Sequence, residues 1–316
     1  MVKMELFKAV WSGLSLETEK LLYQGAHPDS RDSKGNTPLL VACHCGHNNI
    51  VRILINYGAS LDAVNHRGET CIHMAIGNVR IMKRIVSNVQ LSDDILFHAI
   101  RHKDSMSLLL AHRANVNAVD SVGYTPIYYA ALRGDDDAVR RLIEFGANLR
   151  HRDKKGRTIA HILVSRKKVD MLILEKILNE CNLINEEDDD SYTVYFTAIK
   201  HSTVYVVDFL SKYCPQTYFE GKYDSLGVAI VNRRHDMLYY LLSENADPNI
   251  KYPEFHNRTP CHVAVAMDDI ISVELLIRYG ADLSQEDGQG FDVAYFCSLC
   301  PEISMGMVSY LLSKTM

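Results

Sequence analysis

"DSKGNTPLLVACHCGHNNIVRILINYGASLD", residues 32–62, contains within 31 residues every local signal on which the fold prediction depends. Thr37 precedes an apolar run, and its side-chain oxygen can accept from the free backbone N–H groups at a helix start. Pro38 follows at the position where a missing N–H is harmless and the fixed φ suits a helix. A second apolar run ends at Gly58, a residue that tolerates the left-handed conformation closing a helix. The stretch therefore predicts two short helices joined by a turn and preceded by the polar turn "DSKGNT".

The heptapeptide "TPLLVAC", which begins at Thr37, recurs in related form along the whole chain. Nine of its ten copies begin with Thr or Asp, and most intervals between starts are 31–35 residues. The exception is the interval of 24 residues from Thr70 to Asp94, which lacks most of a polar turn. One helix pair cannot bury its apolar face alone, so the units are expected to stack. The copies start at Met4, Thr37, Thr70, Asp94, Thr125, Thr158, Thr193, Asp224, Thr259 and Asp292.

With this repeat length, these caps and these closing glycines, the chain resembles the ankyrin repeat proteins over nearly its whole length. The resemblance implies an all-α fold, an ankyrin-repeat solenoid of stacked helix-turn-helix units with short β-hairpin loops. It also implies a concave face formed by the hairpin tips and the first helices. We expect one array over residues 1–316, in which the first and last units act as caps and the chain is complete. The short interval after Thr70 is a candidate hinge.

Bulk composition restricts the classes of function. The chain of 316 residues has a formal net charge of -5, which gives no overall reason to expect binding to nucleic acid or to an anionic membrane. No uninterrupted apolar run of about eighteen residues occurs, and the N-terminus does not look like a signal peptide. Eight scattered cysteines fit reduced thiols better than a disulfide framework. We expect a monomeric cytoplasmic protein, with entry to the nucleus left open.

Two cysteine-containing stretches are candidate metal sites. In "ACHCGH", residues 42–47, the repeat register directs Cys43 into the stack and His44 and Cys45 to the concave surface. Zinc needs three or four converging ligands, which such a run on a helix end would spread over different faces. "CSLC", residues 297–300, has no second pair nearby. We therefore predict no metal site.

Histidine at the fourth position of the motif has a structural role in the family, where it hydrogen-bonds the threonine of its repeat and ties adjacent units together. His73, His161 and His262 stand at this position. Because no phosphate loop, nucleophile elbow or catalytic histidine motif occurs either, we predict that the protein is not an enzyme and needs no cofactor.

The family resemblance also implies which residues contact a partner. They flank the hairpin glycine, precede the turn between the two helices or precede the closing glycine. The chain has seventeen tyrosines, so a chance aromatic stripe is an open alternative. The predicted partner-binding residues are Ser33, Lys34, Asn36, Tyr57, Arg67, Glu69, Tyr124, Arg133, Phe145, Lys154, Lys155, Arg157 and Tyr279.

Two charged loops allow two interpretations. The hairpin "RHRDKKGR", residues 150–157, is basic, and "EEDDD", residues 186–190, is acidic. They are either a solvated pair of loops that attract each other or include a basic spot that takes an acidic peptide.

The predicted function is a non-enzymatic scaffold that binds a protein or peptide partner on the concave face. The alternative is a substrate adaptor of a ubiquitin ligase, in which the C-terminal segment 297–316 docks the ligase. That segment faintly resembles the F-box-like tail of some viral ankyrin proteins. Its "MVSYLLSK", residues 307–314, also matches the second helix of the other repeats, so both interpretations are open.

Overall fold

The computed structural model describes residues 2–213 and 224–315, and over these residues the chain forms twenty α-helices and no β-strand. The predicted all-α class is confirmed. Short 3₁₀ segments cover Val86–Asn88, Leu183–Asn185 and Pro253–Phe255. The α-helices, in chain order, are α1 Val2–Trp11, α2 Ser15–Tyr23, α3 Pro38–Cys45, α4 Asn48–Asn56, α5 Cys71–Met74, α6 Val79–Ile85, α7 Ile95–Ala99, α8 Lys103–Ala111, α9 Pro126–Arg133, α10 Asp136–Glu144, α11 Ile159–Val164, α12 Met171–Cys181, α13 Val194–His201, α14 Val204–Ser211, α15 Ser225–Val231, α16 His235–Ser243, α17 Pro260–Ala266, α18 Ile270–Arg278, α19 Val293–Leu299 and α20 Met305–Thr315.

The helices are grouped in two compact units, Met1–Asn148 and Leu149–Met316. In the first unit, α1 packs on α3 and α3 on α5, while α2, α4, α6 and α8 pack on one another in turn. The second unit repeats the scheme, with α11, α13, α15, α17 and α19 in one layer and α14, α16 and α18 in another. Each unit is therefore a two-layer stack of helix pairs. None of the helices in the described part of the chain combines the length and the apolar character needed to cross a membrane.

Small residues let the first helices approach closely. Ala42, Ala130, Ala198 and Ala264 are completely buried at the same position of the motif. Most of each first helix is buried with them; in α17 every residue from Pro260 to Val265 is buried. The core therefore lies between consecutive helix pairs, as neighbour-to-neighbour packing requires.

Most repeats begin with the predicted side-chain cap. Thr37 accepts from the backbone N–H of Leu40 at 3.4 Å, and Asp292 accepts from that of Tyr295 at 2.7 Å. The prediction is wrong at two starts. Asp94 makes no side-chain cap bond, and the Oγ1 of Thr125 is buried without a hydrogen-bond partner. Both departures occur where the motif itself changes: after the short interval, and where Tyr128 replaces the histidine.

Two of the three histidines of the motif, His161 and His262, connect their repeats to the next one, as the family resemblance implied. The Nδ1 of His161 accepts from the backbone N–H of Thr158 at 3.1 Å, so Nε2 carries the proton and donates to the carbonyl of Tyr192 at 3.0 Å. His262 does the same between Thr259 and Phe291. Burial lowers the pKa of both imidazoles, which keeps them neutral.

Most hairpin tips are closed by an Asp or Asn side chain, whereas the hairpin before Thr259 is closed by backbone pairing of Tyr252 with Arg258. An oxygen of Asp32 accepts from the backbone N–H groups of Lys34 and Asn36, each at 2.8 Å. Burial alone would raise the pKa of Asp32, but the hydrogen bonds from Asn36 and Lys34 outweigh it and lower the pKa. Neighbouring tips are joined by the backbone, where His66 N–H donates to the Lys34 carbonyl at 3.0 Å. The tips are therefore fixed in place. The same closure occurs at Asn65, Asp120, Asp153, Asp188 and Asp287.

The contact between hairpin tips predicts unequal costs for two glycine substitutions. Gly35 and Gly58 have similar left-handed φ values of +77° and +81°. A Cβ on Gly35 would lie 2.5 Å from the Cδ2 of His66 and 3.0 Å from its backbone nitrogen, whereas nothing lies within 4 Å at Gly58. We expect Gly58→Ala to cost about 1–2 kcal/mol of unfolding free energy. Gly35→Ala should cost at least about 1 kcal/mol more because of crowding.

The unfolding free energies of both variants are measured by urea denaturation followed by circular dichroism. Gly58→Ala gives the cost of placing a residue with a Cβ at a left-handed φ, without any crowding. Equal losses in the two variants would show that the hairpin of His66 moves aside without cost.

Candidate binding groove of the N-terminal unit

A groove of about 570 Å³ runs along the first helices and hairpin tips of the first three repeats. Its walls come from the end of α1, from α3, from α5 and the residues after it, and from the hairpins at 32–36 and 65–69. Its floor is apolar because Leu40 and Val41 are buried. The lining residues are Trp11, Ser33, Lys34, Asn36, Leu40, Val41, His44, Asn65, His66, Arg67, Glu69, His73, Met74 and Ile76.

Hydrogen bonds between the two hairpins hold the polar wall of the groove. The side-chain amide of Asn65 donates to Asn36 at 3.1 Å and to Glu69 at 2.7 Å. Arg31 bridges the loops from behind, donating to the carbonyls of Gly35 at 3.0 Å and Val64 at 2.6 Å. The wall is therefore pre-organised, which reduces the entropy lost when a ligand binds.

Trp11 is the large aromatic side chain at one end of the groove. It is the only tryptophan of the chain and is 54% exposed. Its ring forms a T-shaped pair with His44, with ring centroids 6.1 Å apart, while its backbone carbonyl lies 3.3 Å from the Nε2 of His47. A fixed but half-exposed indole is the type of side chain that anchors interfaces.

The groove is basic, although the chain as a whole is acidic. Lys34 and Arg67 are exposed, and neither forms an ion pair within 4 Å among residues 2–213 and 224–315. The lining contains one carboxylate, that of Glu69, and Asn65 already donates to it. The electrostatic complement of this groove is therefore an acidic segment.

Five of the thirteen predicted partner-binding residues line this groove. They are Ser33, Lys34, Asn36, Arg67 and Glu69. The other eight do not line it.

Three of those eight follow second helices instead. Tyr57, Phe145 and Tyr279 come directly after α4, α10 and α18. Tyr279 packs edge-on against Tyr239, with ring centroids 6.1 Å apart. These positions are partly exposed, but they belong to the other helix layer.

Tyr124 and Arg133 flank α9. Tyr124 stacks on Tyr128 at 5.9 Å between ring centroids and meets Tyr129 edge-on at 5.6 Å. The hydroxyl of Tyr129 donates to Asp120 at 2.6 Å, and this bond raises the pKa of Tyr129 to about 12. Tyr124 thus helps to build an aromatic cluster, while Arg133 is exposed at the end of the helix.

The remaining three predicted residues lie on the basic hairpin of the second unit. Arg157 binds the carboxylate of Asp153 on the same hairpin at 2.7 Å. Arg152 pairs with Glu186 at 3.2 Å and also donates to the carbonyl of Glu187. The basic and acidic loops therefore attract each other, which supports the simpler of the two interpretations. Lys154 and Lys155 are exposed beside them.

The cysteine clusters do not assemble metal sites within the described residues. Cys43 is buried, as the register indicated, and burial raises the pKa of its thiol well above the ordinary value. Cys297 lies within α19, and it is buried too. A buried thiol with a raised pKa is an inert packing group.

The last helix, α20, packs on α19 through the buried side chains of Met307 and Leu311. It therefore occupies the place of a second helix in its pair. Leu299, Met305 and Leu312 of the same segment are exposed. Met316, the end of the predicted ligase-docking segment, lies outside the described residues.

The sequence analysis did not predict one cluster of side chains. His73, Asp94 and His98 come together at the short interval, with all their candidate ligand atoms within 4.8 Å of one another. His73 was interpreted as a core residue and Asp94 as a cap. The four-residue spacing of Asp94 and His98, which puts both on one side of a helix, was the available signal.

Comparison with known proteins connects this architecture to a family. Models of ankyrin repeats match residues 6–95, 77–153 and 95–176, and a single ankyrin repeat model matches residues 256–288. The solved ankyrin repeat domain of Bcl-3 superposes with a TM-score of 0.57 over 65% of this chain and 97% of that domain, at 22% sequence identity.

Similar sequences come from animals and viruses. Rabankyrin-5 of Mus musculus is 27% identical over 168 residues, which are 52% of this chain and 14% of that protein. Ankyrin repeat protein OPG189 of Variola virus is 26% identical over 248 residues, or 72% of this chain and 38% of that protein. The chain thus spans less than half the length of these relatives.

Proposed function

The chain belongs to the ankyrin repeat family, and from that membership we propose that it is a protein-binding module without enzymatic activity of its own. An acidic segment of a protein partner lies in the N-terminal groove. The observation that carries the proposal is the pairing of a half-exposed Trp11 with two exposed cations, Lys34 and Arg67, around a fixed polar wall.

A partner would bind in this groove through one apolar contact and two charged contacts. The indole of Trp11 contributes apolar area that is already ordered before the partner arrives, so little entropy is lost. Lys34 and Arg67 attract carboxylates, which speeds encounter and selects against basic segments. Because these charges are exposed, salt is expected to weaken their contribution.

The proposal includes an intracellular location and a monomeric state. The cysteines among the described residues are free thiols, which supports a reducing, intracellular location. We propose further that the protein acts as a monomer.

A peptide-display selection on the full chain tests the acidic preference. We expect the enriched peptides to be rich in Asp and Glu. Lys34→Glu combined with Arg67→Glu should weaken their binding roughly tenfold or more at low salt, because two attractions become repulsions. The measurement is the Kd of a labelled selected peptide.

The matched control makes the same charge change outside the groove. Lys83 and Arg84 are exposed on α6, so Lys83→Glu with Arg84→Glu should leave the Kd within about twofold. Peptides without acidic enrichment, or equal weakening in both double variants, would refute an acidic partner in this groove.

The ligase-adaptor alternative depends on a different surface. Its support is the exposure of Leu299, Met305 and Leu312 on the last helix pair. It takes precedence if a ligase subunit binds the full chain and if changing these three residues to serine, with the groove intact, abolishes that binding.

A further inference from the structure

The short interval after Thr70 changes the environment of one histidine of the motif. In the second unit, the Nε2 atoms of His161 and His262 donate to carbonyls of the following hairpin, each at 3.0 Å. The repeat after His73 has lost that hairpin, so no such carbonyl is presented. The Nε2 of His73 instead faces the carboxylate of Asp94 at 3.3 Å and the hydroxyl of Ser92 at 3.2 Å.

Asp94 departs from its expected role in the same place. Its register makes it a helix cap, but its side chain accepts no bond from the N-terminus of α7. One carboxylate oxygen lies 3.3 Å from the Nε2 of His73, and the other lies 3.6 Å from the Nε2 of His98. The two imidazoles are themselves in contact, with ring centroids 5.3 Å apart. A carboxylate that has given up capping is thus aimed between two imidazoles.

We propose that His73, Asp94 and His98 form a binding site for a divalent transition-metal ion such as Zn²⁺. Two imidazole nitrogens and one carboxylate oxygen are a ligand set that zinc uses, with solvent in the remaining position. Ligand atoms about 2.0–2.1 Å from zinc in a tetrahedron lie about 3.3 Å from one another. The Nε2 atoms of His73 and His98 lie 3.3 Å and 3.6 Å from the two different oxygens of Asp94, and one ligand atom from each residue lies within 4.8 Å of the others. A small rotation of the exposed Asp94 and His98 side chains would bring them to the tetrahedral value.

The surroundings of His73 also allow the protonation state that a metal needs. A metal on Nε2 requires the proton on Nδ1, and the Oγ1 of Thr70 lies 2.8 Å from Nδ1 to accept it. This is the outer hydrogen bond that orients many ligating histidines. The change gives up the 3.2 Å bond from the N–H of Thr70 and the hydrogen bond between Nε2 and Asp94, and the metal takes the place of the second of these. At His161 and His262 the same change would also break the bond between repeats, so those residues are not equivalent candidates.

The site is accessible on one side and anchored on the other. The side chains of Asp94 and His98 are 59% and 52% exposed, whereas that of His73 is almost completely buried. An ion can therefore enter from solvent and bind to one fixed ligand and two adjustable ones. It would link the third repeat to the fourth where the hairpin contact is missing.

Metal titration of the full chain tests the site. After chelator treatment, we expect isothermal titration with Zn²⁺ alone at neutral pH to show one equivalent bound, and Zn²⁺ to raise the thermal midpoint. Asp94→Asn and His98→Ala should each weaken binding at least about tenfold. Because both side chains are more than half exposed, circular dichroism should show unchanged folding.

Two controls exclude other metal-binding groups. His112→Ala removes an exposed histidine outside the cluster, and Cys297→Ser with Cys300→Ser removes the two thiols of the "CSLC" stretch. Both should bind Zn²⁺ like the wild type. The proposal is overturned if the wild type binds no Zn²⁺, or if Asp94→Asn and His98→Ala retain wild-type affinity.

Discussion

Replacing Trp11 with alanine is expected to weaken binding of a groove-selected acidic peptide by roughly 30-fold or more, which corresponds to about 2 kcal/mol. The indole is half exposed in the unbound chain, so its burial under a ligand is still available as binding energy. It is also held against His44, so little order has to be created. Aromatic residues with these two properties are typical binding hot spots.

The fluorescence of Trp11 also reports peptide binding. Since the chain contains one tryptophan, its fluorescence reports directly on the groove, and titration of the wild type with peptide should change the emission. The Kd of Trp11→Ala is then obtained with a labelled peptide. Folding should be unaffected because the removed side chain contributes mainly exposed surface.

Tyr23 supplies the matched control. It is an aromatic residue at the end of α2, 84% exposed and outside the groove, so Tyr23→Ala should leave the Kd unchanged. Equal affinities of wild type and Trp11→Ala would show that the peptide does not use the groove.

His161→Ala is expected to lower the unfolding free energy by about 3 kcal/mol. The substitution removes the acceptor of the Thr158 N–H and the donor to the Tyr192 carbonyl, and it leaves a cavity in a completely buried site. An unsatisfied buried polar group costs about 1–3 kcal/mol, to which the cavity adds. The matched control is His201→Ala, which removes an exposed histidine of the same unit and should cost less than about 0.5 kcal/mol.

The stability difference between wild type and His161→Ala is expected to depend on pH. Burial lowers the pKa of His161, so the folded state takes up its proton at a lower pH than the unfolded state, whose histidine has a pKa near 6.5. The stabilisation by His161 is therefore complete above about pH 6.5 and is lost as the pH falls below that value.

Urea denaturation of both chains at pH 7.5 and pH 5.5, read by circular dichroism, measures this difference. We expect the gap between wild type and variant to shrink at the lower pH. A gap that is the same at both pH values would mean that His161 is not held in its neutral form.

The repeat pattern made the fold predictable because its signals are local. Thr37 as a cap, Pro38 in the first turn and Gly58 at a helix end each act through backbone geometry within a few residues. The prediction failed at Asp94 for the same reason. The hairpin that would present a carbonyl to His73 is missing, so Asp94 binds His73 of the preceding repeat instead of capping its own helix.

The candidate site was predictable only in part. Ser33, Lys34, Asn36, Arg67 and Glu69 share the groove because hairpin tips at repeat spacing stack side by side, which the family resemblance already implied. Trp11 was absent from the predicted set, since α1 carries no hairpin to fix its register. Arg157 was predicted to contact a partner, but Asp153 four residues earlier already binds it. Its ion pair depends on the folded turn.

By itself, the sequence determined the helix-pair repeat and the starts of most first helices, because caps and turns are properties of neighbouring residues, while the roles of His161 and His262 were implied by the family resemblance. The tertiary structure alone decided that Trp11 lines the same groove as Lys34 and Arg67, and that His73, Asp94 and His98 converge. Both assemblies join side chains from different repeats. Their distances are set by how helix layers pack, and no local pattern records that packing.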